Sequence, residues 1–63
     1  MEFEEKLKDR VSRYLDESGA RITHMCVKLH MSTSAFSLWR RNVLNLSPER
    51  LLSIDDYLKR WGY

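Results

Sequence analysis

A chain of 63 residues, 43% hydrophobic and 32% charged, is one small domain near the lower limit for folding without staples. It has no room for a substrate pocket walled by two layers, and its ordinary globular balance argues against intrinsic disorder. Two glycines and one proline speak against a turn-rich β fold, and the single cysteine, Cys26, excludes an internal disulfide framework.

The formal net charge of +2 indicates no partner by itself, but its distribution does. Residues 1–20 carry six acids and four bases, and residues 44–63 carry three of each. Residues 21–43 carry Arg21, Lys28, Arg40, Arg41 and both histidines, with no acid. An acid-free basic block of this kind is the electrostatic footprint of a nucleic-acid face, with a merely solvated surface as the competing reading. No apolar run nears the ~20 residues of a membrane span, and acids in the first turn argue against a secretory leader. The expectation is a soluble, cytoplasmic, nucleoid-associated protein.

In chain order, Phe3, Leu7, Val11, Tyr14 and Leu15 share one helical face. Glu2, Glu4 and Glu5 suit a helix N-terminus and Gly19 a stop, which predicts a first helix over about 2–18. Ile22, Met25, Cys26 and Leu29 predict a second, shorter helix. Met31 breaks the period, and Ser32 or Thr33 can cap a third helix with Phe36 and Trp39 on its inner face. That helix ends near Arg41 or Asn42, and Val43 to Leu46 form a connector. Ser47-Pro48-Glu49 then supplies a capping hydroxyl, a first-turn proline and an acid, and starts a fourth helix with Leu51, Ile54, Leu58 and Trp61 as its buried stripe. Gly62 ends it. All four stripes must meet in one core, because none is stable alone.

Residues 22–41 therefore read as a helix-turn-helix. Two helices crossing over a short turn need a small residue where their backbones approach (Cys26), an apolar plug in the turn (Met31) and apolar anchors on both inner faces. The segment Leu29 to Trp39, LHMSTSAFSLW, resembles the turn and recognition helix of the Cro/lambda-repressor family, and is similar to small phage and plasmid Cro-like regulators. Leu46 to Leu51, then Ile54 to Leu58 and the Gly62-Tyr63 ending, resemble the helix that those regulators place next. The resemblance runs from Arg21 onward. It implies an all-α, lambda-repressor-like DNA-binding domain over residues 1–63, with four helices or a fifth, acting as a small repressor that inserts helix 33–41 in the major groove of double-stranded DNA. It implies base contacts from Thr33, Ser34, Ser37 and Leu38 and phosphate contacts from Arg40, Arg41 and Asn42 and from the start of the second helix. The chain departs from the pattern where Ile22 replaces a phosphate-binding Gln, a contact for which Arg21 can substitute. It departs again where His30 replaces the turn Gly, and in lacking the long side chains that read bases bidentately. Phosphate contacts, drawn from Arg21, Lys28, Arg40, Arg41 and Asn42, are thus expected to dominate affinity, with modest direct readout. A homodimer would strengthen such binding. Val43, Leu44, Leu46, Trp61 and Tyr63 are candidates for its surface.

The remaining chemistry-bearing residues have simpler readings. His24 and His30 are six apart, far from one helical face, and no Cys-x-x-Cys accompanies Cys26, so no metal site or other cofactor is expected. Asp55 and Asp56 are adjacent and read as a solvated edge rather than a catalytic pair. No enzymatic activity is expected. The competing function is a protein-interaction module, an antirepressor or an inhibitor of a host factor. It would use the outer face of the helix-turn-helix, where Leu38 is apolar and the other side chains are short.

Overall fold

The amphipathic stripes become four helices in the computed structural model, α1 (Glu2–Ser18), α2 (Ile22–Leu29), α3 (Thr33–Arg40) and α4 (Pro48–Arg60), with no strand among the described residues. Those residues are 2–63, Glu2 by its backbone alone; Met1, where the expected domain begins, and the Glu2 carboxylate lie outside them. The chain is all-α, as its periodicity predicts.

Helix starts follow side-chain chemistry. Ser32 rather than Thr33 caps α3, its hydroxyl accepting from the Ala35 amide at 3.1 Å. Ser47 caps α4 and accepts from the Arg50 amide at 3.4 Å, with Pro48 in the first turn. Helix ends follow backbone chemistry. After α2, α3 and α4 the chain enters the left-handed region at His30 (φ 57°), Asn42 (φ 63°) and Gly62 (φ 82°). The next amide then bonds back to the last turn in the same way each time: Met31 to the Cys26 carbonyl (3.0 Å), Val43 to Leu38 (2.9 Å) and Tyr63 to Leu58 (2.9 Å). These are Schellman closures, which satisfy carbonyls that the helix leaves over and set an apolar residue against the turn just closed.

Leu7, Val11 and Tyr14 of α1, Met25, Cys26 and Leu29 of α2, Phe36 and Trp39 of α3, and Ile54, Tyr57 and Leu58 of α4 form a single core. Each large side chain taken fully out of water contributes about 1.5–3 kcal/mol. Met31, expected as the plug of the turn, packs on this core from the turn between α2 and α3. The Tyr14 and Tyr57 hydroxyls satisfy one another at 2.8 Å, with the rings edge to face at 5.5 Å. Burial, with the Tyr14 hydroxyl adding, pushes the Tyr57 phenol up to about 12.

Three expectations are corrected. Phe3 is 47% exposed, because the core stripe of α1 begins only at Leu7. Trp61 is 57% exposed, because α4 stops at Arg60 and the closure at Gly62 turns Tyr63, not Trp61, onto the core. Asp55 is buried rather than a solvated edge. Its carboxylate accepts from the Arg10 guanidinium across the α1–α4 contact and from Lys59 one turn on at 3.2 Å, while Arg10 also donates to the Tyr63 carbonyl at 2.6 Å.

The Arg10 hydrogen bond holds the Asp55 carboxyl below its ordinary value of 3.8 against the upward pull of burial, and Lys59 adds to the lowering. A lowered carboxyl stabilises the fold fully above its unfolded value and loses that contribution as pH falls through the folded one. Asp55→Ala, which leaves Arg10 without its carboxylate, is expected to cost about 2 kcal/mol at neutral pH. In urea titrations the gap between the two proteins should close as pH falls below about 4; a gap independent of pH would show that the carboxylate charge contributes nothing.

Candidate nucleic-acid interface

The geometry of α3 is set at its two ends. Before it, His30 reverses the chain within the three residues that separate α2 from α3. The His30 carbonyl accepts from Arg50 of α4 at 3.0 Å, which ties the turn to the start of α4. Behind it, Phe36 and Trp39 are fully buried. The Trp39 indole N–H donates to the Glu4 carboxylate at 2.8 Å, and the Lys8 ammonium lies 5.2 Å from the centre of its ring. Both partners belong to α1, so α3 is anchored to the one helix that sequence reading left out of the site.

At about 100° per residue, Ser34, Ser37 and Leu38 fall opposite Phe36 and Trp39, with Thr33 at the flank. Thr33, Ser34 and Leu38 are exposed and Ser37 half-buried. The four expected base-contact residues thus share the outer side of one helix. Arg41 and Asn42, both exposed, follow at the end of α3, where Asn42 turns to α1 and lines a hollow with Glu5, Lys8 and Asp9.

The expected phosphate-contact residues divide into three places. Arg40 and Arg41 come together with Ser37 and with Lys8 and Ser12 of α1 around a cleft of 290 Å³. Lys8 donates to the Asn42 side-chain oxygen, and Arg40 donates to the Ser12 hydroxyl at 3.4 Å. Arg21 stands apart, exposed, as the residue before α2. The start of α2 has no side-chain cap and no acid in its first turn. Lys28 lies in a different groove, against Tyr57 and Arg60 of α4 and the Trp61 that follows it, and is not brought to Arg40 and Arg41.

Lys8 and Ser12 are the members that sequence reading missed. Lys8 stands in the acidic third of the chain, and only its spacing of four from Ser12, on one side of α1, hinted at a shared face. His24 and His30 are exposed, and no group of three His, Cys, Asp or Glu residues able to hold a metal occurs among the described residues. Cys26 is the buried small residue of α2, and burial pushes its thiol up, away from the reactive thiolate. No helix among them is long and apolar enough to cross a membrane.

Comparison with protein-family models, with curated proteins and with solved structures returns no match to this chain.

Because a side chain in the left-handed region costs about 1 kcal/mol relative to glycine, His30→Gly is expected to raise the thermal midpoint by a few degrees. The tie from Arg50 goes to the backbone carbonyl and survives the change. A lower midpoint would mean that the imidazole itself holds the turn.

Proposed function

We propose that the protein is a DNA-binding transcriptional regulator, a small repressor of Cro-like type, that lays the outer side of α3 in the major groove. The observation that carries this reading is the pairing of that side with charge. Thr33, Ser34, Ser37 and Leu38 project from a helix anchored from behind, inside the block 21–43 that has bases and no acid. Short hydroxyl side chains let the helix approach base edges closely, and Leu38 offers an apolar contact for a thymine methyl. Arg40, Arg41 and Asn42 meet the backbone past the end of α3. The uncapped start of α2, with Arg21, supplies amide donors and a cation to a second phosphate. Lys28 enters this reading as a distal charge. No step asks for catalysis or a cofactor, and such a regulator would work at the nucleoid, in the cytoplasm.

Affinity then rests on phosphates, and a twofold dimer reading two half-sites suits so small a module. Of the candidates for its surface, Leu46 and Tyr63 cover the core, which leaves Val43 and Leu44 beside Leu38, or Trp61.

One observation favours a protein partner instead. The Val43 and Leu44 amides both bond to the Leu38 carbonyl, which gathers three exposed apolar side chains at the end of α3. The discriminating experiment is fluorescence anisotropy against a pooled random-sequence duplex at several salt concentrations. Binding is expected to weaken with a log–log slope of roughly −3, as about three or four phosphates release counterions. Arg40→Ala with Arg41→Ala should abolish it. No binding at low salt overturns the DNA reading, and Leu38→Glu then becomes the variant with which to test a protein partner.

A further inference from the structure

We infer that the cleft between α1 and the end of α3 is a built site for one phosphate group, held by Lys8 and Ser12 as well as by Arg40 and Arg41. The inference deepens the DNA reading and rests on it for the source of the phosphate, a backbone phosphodiester. Two elements supply the walls: Lys8 and Ser12 come from α1, and Ser37, Arg40 and the adjoining Arg41 from α3. Three cations and two hydroxyls facing one opening are the donor set that a tetrahedral oxyanion takes, and no acid lines that cleft.

The donors are also held in place. Lys8 is fixed by the Trp39 ring and by the Asn42 side-chain oxygen, which occupies one of its three N–H groups and leaves two. Arg40 is steadied by the Ser12 hydroxyl and keeps most of its five N–H donors free of that bond. Arg41 forms no ion pair among the described residues. Three other bases differ: Arg10 and Lys59 are paired with Asp55, and Arg13 with Glu17.

The surroundings give the site a direction. The adjoining hollow shares Lys8, Ser12 and Arg40 but adds Glu5 and Asp9. Like charge keeps a phosphate out of that side, so the anion enters over Ser37 and Arg41, the side continuous with the outer side of α3. A strand seated there runs along the end of α3 while that helix lies in the groove, and α1 becomes part of the interface.

Two titrations of the full-length chain test this. In the first, inorganic phosphate is added at ionic strength held constant with chloride, and backbone amide shifts are followed by NMR. Saturable shifts at Ser12, Ser37 and Arg41 are expected. They should be lost in Lys8→Gln and in Ser12→Asp, which retains Lys8 and puts a carboxylate in the cleft, and kept in Lys6→Gln, which removes an α1 charge outside the cleft. In the second, duplex binding is followed against salt. Lys8→Gln should flatten the slope by about 0.9, the share of one phosphate, and Lys6→Gln should not. Phosphate shifts without duplex binding would support the cleft as a site for a free phosphate group while the DNA reading falls. Duplex binding that Lys8→Gln and Lys6→Gln weaken equally, with no saturable phosphate shift, would overturn the cleft and leave the DNA reading standing. Absence of both removes both.

Discussion

The direction of α3 depends on one residue in an uncommon conformation. His30 takes the left-handed backbone that closes α2, and its neighbours fix the consequence: the His30 amide bonds back to Val27, the Met31 amide to Cys26, and Ser32 already caps the next helix. There is no slack between the last turn of α2 and the first of α3. Any other backbone at His30 would send α3 elsewhere, and Phe36 and Trp39 would miss the core that they fill. The strain of a side-chain-bearing residue is offset by the two amide bonds, by Met31 packing on the core and by the tie from Arg50 to the His30 carbonyl.

The outer side of α3 is defined by what holds its inner side. Trp39 is fully buried, yet its indole N–H is satisfied by Glu4 and its ring lies under Lys8, so one side chain takes up both an acid and a base of α1. Asp55 likewise takes up Arg10 and Lys59. Glu4 with Trp39 and Arg10 with Asp55 thus join helices, while the bases of the acid-free block meet no carboxylate in an ion pair among the described residues. With a formal charge of only +2, the bases of residues 21–43 keep their charge free of ion pairs among the described residues, while Glu5 and Asp9 of α1 border Arg40 on one side.

The sequence by itself determined the helices. Apolar spacing marked the stripes, Ser32 or Thr33 and Ser47 with Pro48 marked the starts, and Gly19 and Gly62 marked two of the ends, since these are local effects of side-chain period and backbone allowance. It also determined that Thr33, Ser34, Ser37 and Leu38 share a side of one helix and that the bases of residues 21–43 stand without acids. Tertiary structure alone decided what crosses between helices. That Lys8 and Ser12 join Arg40 and Arg41, that Lys28 turns to α4 instead, and that Asp55 is buried against Arg10 depend on how α1 and α4 lie against the rest, which no local period encodes. The same holds for Trp61, an apolar residue at the right spacing that remains exposed because the closure one residue later brings Tyr63 to the core in its place.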